Sequence, residues 1–171
     1  MRRVAEWVTT AAGAFAVYLL FASFTGSWGV WAPDELIAGA VISLVIGLCT
    51  GAYVWKRGGW RLLQPHRWFL FLIYLGGPFL YALVKANLDV AWRVITGRIK
   101  PGIVRFNPNL TTDAGRTFLA NSITLTPGTL TLDIDETTGD FYVHWINVKD
   151  PSPTADDVCG PFPKWARRVA E

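Results

Sequence analysis

The chain has 171 residues, enough for one ordinary domain or for a few membrane helices with a small appendage. Only 17% of the residues are charged and 51% are hydrophobic, whereas an average soluble domain carries roughly 25% charged residues. Residues 1–100 hold ten Lys/Arg and four Asp/Glu, and residues 101–171 hold six and nine. These figures exclude one uniform soluble domain. They predict a membrane-embedded helical region over 1–100 and a small polar α+β domain over 101–171.

Two uncharged apolar stretches, residues 7–25 and 36–55, predict a transmembrane hairpin, because about 20 apolar residues cross a hydrocarbon core. A signal peptide is the alternative for the first stretch, since Arg2 and Arg3 precede it. The stretch is longer than the apolar core of such a peptide, and a second one follows at once. Small residues that favour close helix packing recur in the second stretch: Gly39, Gly47 and Gly51. Tryptophans expected at the membrane interfaces flank both: Trp28, Trp31 and Trp55.

The distribution of basic residues predicts the orientation of this hairpin. Basic residues cluster at the N-terminus and in a loop over residues 56–67: Arg2, Arg3, Lys56, Arg57, Arg61 and Arg67. The connection between the two stretches contains Asp34 and Glu35 but no Lys or Arg. The positive-inside rule therefore predicts a multi-pass protein of the cell membrane, with the N-terminus and the loop 56–67 in the cytoplasm.

A third apolar stretch, residues 68–84, is interrupted near its middle by Gly76, Gly77 and Pro78, and proline inside a helix removes a hydrogen bond. We expect a broken apolar helix and keep two interpretations. A tilted third span would leave the polar domain outside the cell, whereas a kinked helix along the cytoplasmic face would not cross. The excess of basic residues that follows favours the second interpretation.

A charged stripe continues this helix. Lys85, Asp89 and Arg93 stand four residues apart, a spacing that aligns them on one helical face. The stripe could neighbour an ion path, but a set of interfacial anchors is the preferred interpretation. The preceding apolar stretches contain no ionisable group suited to carrying ions at membrane depth.

The polar part has the pattern of an α+β unit. The expected elements are a strand over 103–106, a helix over 113–123 capped by Thr112 or Asp113, strands over 129–134 and 140–148, and a helix over 162–170. A turn at Pro127-Gly128 separates the first helix from the second strand. A domain of about 70 residues has only a thin core, so we expect it to lean on a partner or on the membrane.

No catalytic, cofactor or metal site is predicted. His66 and His144 have no cysteine or carboxylate at ligand spacing, and we expect both at the surface. Cys49 and Cys159 are expected as unpaired thiols. The acidic group Asp133, Asp135, Glu136 and Asp140 is expected to be a solvated hairpin tip. The polar part has no basic stripe, so no nucleic-acid partner is expected.

Two segments carry a family resemblance. The run NSITLTPGTLTL at 121–132, with YVHWINV at 142–148, resembles the signature of the E-type subunit of multisubunit Na⁺/H⁺ antiporters of the Mrp or Mnh type. The segment KANLDV at 85–90 is also similar to that family, and the order of apolar spans and polar unit fits it.

The resemblance implies an accessory subunit of a cation/proton antiporter complex, with other subunits and the lipid bilayer as partners. The family also occurs in the antiporter modules of membrane-bound hydrogenases and related respiratory complexes, which remain an alternative, as does a stand-alone membrane sensor. Candidate residues for shaping the turn or contacting a partner are Asn121, Thr124, Thr126, Pro127, Gly128 and Thr129.

Overall fold

The computed structural model describes residues 2–22, 31–56 and 64–171. The chain divides into two compact units, Met1–Leu63 and Gln64–Glu171. Packing thus groups the third apolar stretch with the polar part, whereas composition changes near residue 100. The predicted interfacial Trp28, the end of the first apolar stretch and most of the basic loop 56–67 lie outside the described residues.

The first unit is a helical hairpin. Helix α1 covers Arg2–Phe21 and helix α2 covers Pro33–Lys56. Asp34 and Glu35, expected in the connection, lie in the first turn of α2, where acidic side chains favour the positive end of the helix dipole. Trp31 donates its indole N–H to the carbonyl oxygen of Leu19 at 3.0 Å and so ties the start of α2 to the end of α1.

Small residues let the two helices approach closely. Along α2 the buried positions recur every four residues: Gly39, Ser43, Gly47 and Gly51. A Cβ atom on Gly47 would lie 2.7 Å from the Cβ of Ala11 and 2.7 Å from the backbone oxygen of Trp7. The predicted small-residue face of α2 therefore packs against α1 of the same chain.

The second unit opens with a long helical segment. Helix α3 covers Pro65–Tyr74, a π-helical turn covers Leu75–Phe79, and helix α4 covers Leu80–Thr96 and ends at Gly97 in the left-handed region. The expected interruption at the Gly-Gly-Pro sequence is this π turn, and helix continues on both sides of it. Among the described residues, three helical segments are long and apolar enough to cross a membrane: Val4–Phe21, Pro33–Trp55 and Pro65–Thr96.

The polar part folds as the sequence predicts, with one addition. Its elements are β1 (Gly102–Phe106), α5 (Asp113–Leu125), β2 (Thr129–Ile134), β3 (Phe141–Trp145), α6 (Ala155–Cys159) and α7 (Phe162–Ala170). Thr112 caps α5 through its side-chain oxygen, which accepts the N–H of Gly115. The short helix α6 lies between β3 and α7 and was not predicted.

The three strands form an antiparallel sheet in the order β1-β3-β2. Phe106 and Ile134 both pair with Phe141 of the central strand, and a bulge interrupts β2 between Thr131 and Asp133. One face of the sheet contributes Val104, Phe106, Phe141 and Val143 to the core. Helices α5 and α7 supply Leu119, Ile123, Phe162 and Ala166.

The third apolar segment completes this core. Among the described residues, Tyr74 of α3 is the largest fully buried side chain, with 1% of its surface exposed. Partly buried residues on either side of it pack against the same cluster: Phe71, Leu75, Phe79 and Ala82. The thin core was expected to lean on a partner or on the membrane, and it leans on a helical segment of its own chain.

Candidate functional site

An aromatic cluster joins α3 to the polar part. The hydroxyl of Tyr74 donates to Ser122 Oγ at 2.7 Å, and Ser122 Oγ donates in turn to the carbonyl oxygen of Phe118 at 2.8 Å. Rings surround Tyr74 at centroid distances of 4.9–5.9 Å: Phe79, Phe118, Phe162 and Trp165. Aromatic pairs in this range contribute beyond their buried area. The cluster therefore fixes α3 on the polar part.

Arg67 makes a second connection between the same elements. Its guanidinium donates to the carbonyl oxygens of Val169 at 2.9 Å and Glu171 at 3.0 Å, at the C-terminal end of α7. Basic groups are favourable there because helix C-termini leave carbonyl groups without internal partners. Arg67 was expected in a cytoplasmic loop. The structure has it inside α3, bound to α7.

The turn between α5 and β2 is closed by threonine side chains. Thr126 Oγ1 donates to the carbonyl oxygen of Ser122 at 2.7 Å, and Thr129 Oγ1 donates to that of Ile123 at 2.8 Å. Thr124 Oγ1 accepts the N–H of Thr131 at 3.2 Å. These bonds satisfy backbone groups that the helix end leaves open. The candidate residues of the TPGT run therefore shape the turn, and Asn121 lies exposed on α5.

Gly128 brings this turn against α4. Its φ of +89° is a left-handed conformation that favours glycine. A Cβ atom here would lie 3.0 Å from Ile146 Cγ2 and 3.3 Å from Val90 Cγ2. A side chain at this position would therefore be strained by the backbone conformation and would force these neighbouring methyl groups to shift by a few tenths of an ångström.

The turn and the charged stripe, predicted separately, line one cleft with a volume of about 400 Å³. Its wall on α4 includes Lys85, Asp89 and Arg93, and the facing wall includes residues 126–129 and Lys149. Apolar groups from α4 and from the start of α7 complete the lining, among them Tyr81 and Phe162. The cleft thus separates α4 from the sheet and α7.

Within the stripe, Asp89 and Arg93 form a two-pronged ion pair. Arg93 Nε lies 2.6 Å from Asp89 Oδ2, and Arg93 Nη2 lies 3.0 Å from Oδ1. Arg93 Nη1 also donates to the carbonyl oxygen of Arg98 at 3.0 Å, beyond the end of α4. The Arg93 side chain is 15% exposed and that of Asp89 is 51% exposed. The pair therefore fixes the end of α4 while its carboxylate remains open to solvent.

The acidic hairpin is more structured than expected. Asp140 is buried, and its carboxylate accepts from Asn107 Nδ2 and Arg105 Nε, both at 2.8 Å. These hydrogen bonds, chiefly the one from Asn107, hold the pKa of Asp140 below its ordinary value. Asp135 accepts the N–H groups of Thr137 and Thr138 and closes the turn. Expecting a solvated tip was wrong for Asp140, because β1 supplies its partner from 35 residues away.

The remaining reactive side chains are dispersed. His66 is exposed, and His144 lies half-buried in β3. Cys49 and Cys159 are free, as predicted, and burial raises the pKa of the Cys159 thiol well above its ordinary value. Over residues 2–22, 31–56 and 64–171, no three His, Cys, Asp or Glu side chains stand close enough to hold a metal ion.

Sequence reasoning missed the Tyr74–Ser122 bond and the Arg67 contacts. The available signal was periodicity: Phe71, Tyr74 and Ala82 fall on one helical face and pack against the core. The signal is weak because the opposite face of the segment is also apolar.

The sequence model of the family described as Na⁺/H⁺ ion antiporter subunit, MNHE, matches residues 12–169. The chain belongs to this MNHE family of Na⁺/H⁺ antiporter subunits. It is thus a membrane protein of a cation-transport family. The predicted family and fold class, apolar membrane helices followed by a small α+β part, are confirmed.

Individual relatives agree with this membership. The chain is 30% identical to the E1 subunit of a Na⁺/H⁺ antiporter from Staphylococcus haemolyticus, with 84% of this chain and 87% of the relative aligned. It is 32% identical to the E1 subunit from Staphylococcus aureus, covering 91% and 92%. A solved chain of the membrane-bound sulfane sulfur reductase, an archaeal respiratory membrane complex, matches with a TM-score of 0.77 and 38% identity, covering 96% and 98%.

Proposed function

We propose that this member of the MNHE family supports Na⁺/H⁺ exchange as an accessory and assembly subunit, without carrying the ion path itself. The observation behind the proposal is the chemistry of its apolar segments. Residues 7–33, 36–55 and 68–84 contain no Asp, Glu, Lys, Arg or His. A proton or sodium path needs such groups at membrane depth, because only they can bind and release the ion there. Neighbouring subunits must supply them.

The packing of the hairpin suits an assembly role. The small-residue face of α2 is filled by α1, so the two helices form one unit that other subunits or lipid can surround. Its outward positions are apolar and exposed: Val17, Leu20, Ile37, Val41, Leu44 and Leu48. Exposed apolar surface of this extent fits lipid or partner helices rather than water.

Two measurements test the proposal. Deleting the protein should remove both the assembled complex and Na⁺-dependent antiport in membrane vesicles. The purified chain, reconstituted alone, should show no Na⁺-dependent proton flux. Flux from the chain alone, or undiminished antiport by a complex without it, would refute the accessory role.

A matched pair of variants separates packing from composition. Gly47→Ala places a methyl group against Ala11 and Trp7, whereas Gly13→Ala in α1 meets no atom within 4 Å. We expect the Gly47→Ala chain to assemble poorly and the Gly13→Ala chain to assemble normally, measured by co-purification of the complex. Equal assembly of both would contradict the importance of the close hairpin.

A second function follows from the solved relative. The identity of 38% to a chain of a respiratory membrane complex exceeds the 30–32% to the two antiporter subunits above. The alternative is a membrane-arm subunit of a membrane-bound hydrogenase or related respiratory complex. Purifying the tagged chain in mild detergent separates the two functions. Antiporter subunits alone would support the first, and co-purified iron–sulfur or nickel–iron subunits would support the second.

A further inference from the structure

The segment α3–α4 exposes one continuous apolar face along its whole length. Exposed apolar side chains recur at helical spacing of four or seven residues through the π turn: Phe69, Ile73, Leu80, Val84, Leu88 and Ile95. Between 42% and 79% of the surface of each is exposed. Trp68, Tyr81 and Trp92 are exposed on the same segment. These amphipathic rings are typical of the boundary between lipid and water.

The opposite face meets the polar part at points along its length, with the cleft described above between two of them. Arg67 binds the end of α7, Tyr74 is enclosed by the aromatic cluster, and Val90 lies beside the turn at Gly128. From Arg67 to Val90 the helical segment rises by roughly 35 Å. That length matches the thickness of the hydrocarbon core, about 30 Å.

This attachment along the length of the segment is incompatible with an upright crossing. If the segment spanned the bilayer, the sheet, α6 and α7 beside it would also lie within hydrocarbon. Helices α6 and α7 expose several charged side chains: Asp156, Asp157, Lys164, Arg167 and Arg168. The edge strands β1 and β2 would also leave backbone groups without partners in lipid. Neither charges nor open sheet edges are tolerated there.

We propose that residues 65–96 lie in the plane of the membrane surface, with their apolar face in the acyl-chain region of one leaflet and the polar part on the water side. An amphipathic helix in this position sinks roughly 5–10 Å below the headgroup boundary. The chain then crosses the membrane only with α1 and α2. The polar part lies on the side where α2 ends, which is also the side of the N-terminus.

Depth measurements along the segment test the proposal. Single spin labels are attached in the assembled complex, reconstituted in liposomes, to Phe69→Cys, Leu80→Cys and Ile95→Cys, each with Cys49→Ala and Cys159→Ala. Relaxation by oxygen, which enters lipid, and by a water-soluble nickel chelate reports the depth of each label. The in-plane position predicts the same shallow depth at all three sites.

An upright crossing gives a different profile. Leu80 would then lie roughly 16 Å deeper than Phe69, because eleven residues separate them at 1.5 Å each. That profile would overturn the proposal, as would labels shielded from both reagents, which would indicate cover by a partner protein. Retained assembly of each variant is measured first.

Sidedness gives an independent control. Asn121→Cys stands exposed on α5, on the polar part. A membrane-impermeant maleimide should label it from the side that carries the N-terminus and not from the other. Labelling from the opposite side would require a third crossing and would refute the in-plane helix.

Discussion

Tyr74 connects α3 to the polar part through two separable contributions, a ring and a hydroxyl. The ring is enclosed by four other aromatic rings, and the hydroxyl donates one hydrogen bond to Ser122. Tyr74→Phe removes only the hydrogen bond, whereas Tyr74→Ala removes both. Tyr81 is a matched control, because it lies seven residues further along the same segment, beyond the π turn, and is 70% exposed.

The two substitutions should lower the free energy of unfolding by amounts that differ several-fold. A buried hydrogen bond contributes about 0.5–1.5 kcal/mol net, so Tyr74→Phe should lower the free energy of unfolding of the second unit by about 1 kcal/mol. Removing a fully buried aromatic side chain costs about 3–5 kcal/mol, which is our expectation for Tyr74→Ala. Surface substitutions usually stay within about 0.5 kcal/mol, so Tyr81→Ala should change little.

Pulse proteolysis in a urea series measures these losses in the full chain in detergent. A C-terminal tag reports the fraction of the second unit that survives, and the midpoint gives the change in stability. The double variant Tyr74→Phe with Ser122→Ala should lose less stability than the two single variants together, because both substitutions remove the same hydrogen bond. If Tyr74→Ala destabilises no more than Tyr81→Ala, the polar part folds without α3. The packing of α3 on the core of the polar part would then be refuted.

Three further predictions concern the turn at Gly128, the buried carboxylate of Asp140 and the buried thiol of Cys159. Gly128→Ala should destabilise more than Gly97→Ala in the same assay: both glycines have positive φ, but only at Gly128 would the methyl group meet Ile146, at 3.0 Å. Asp140→Asn should destabilise the unit at pH 7. The pKa of Asp140 is lowered in the folded state, so its contribution is present above the unfolded pKa of about 4 and disappears as pH falls through the folded value. The difference from the parent chain should therefore narrow in acid. Cys159 should react slowly with N-ethylmaleimide in the native chain and rapidly after denaturation, followed by mass spectrometry, because it is buried and its pKa is raised.

Each of these predictions has a contrary outcome. Equal losses of stability for Gly128→Ala and Gly97→Ala would mean that the turn at Gly128 moves enough to avoid the contact with Ile146. A pH-independent effect of Asp140→Asn would mean that its ionisation does not differ between folded and unfolded chains. The Sγ of Cys159 donates to the carbonyl oxygen of Ala155 within α6. Rapid labelling of Cys159 in the native chain would therefore mean that α6 unfolds locally with ease.

Much of the fold could be predicted from sequence. The bounds of β2 (Thr129–Ile134) and α7 (Phe162–Ala170) agree with the structure residue by residue, and α5 begins at the expected cap. Strand alternation, turn residues and helix caps act over a few neighbouring positions, so they can be recognised in the sequence alone. The same holds for the two uncharged stretches that became α1 and α2, and for the motif that indicated the family.

The role of each face of the third apolar segment was decided by tertiary structure. Residues 68–84 carry no charged side chain, so composition alone favours a membrane span there as much as a core helix. Which face meets protein depends on Ser122 and the end of α7, partners 48 and 102 residues away in the chain. Asp140 and Arg105 meet across strands in the same way. Local patterns specify helices and strands because those form between neighbours. The packing of one element against another depends on the shape and polarity of surfaces that exist only once the chain has folded.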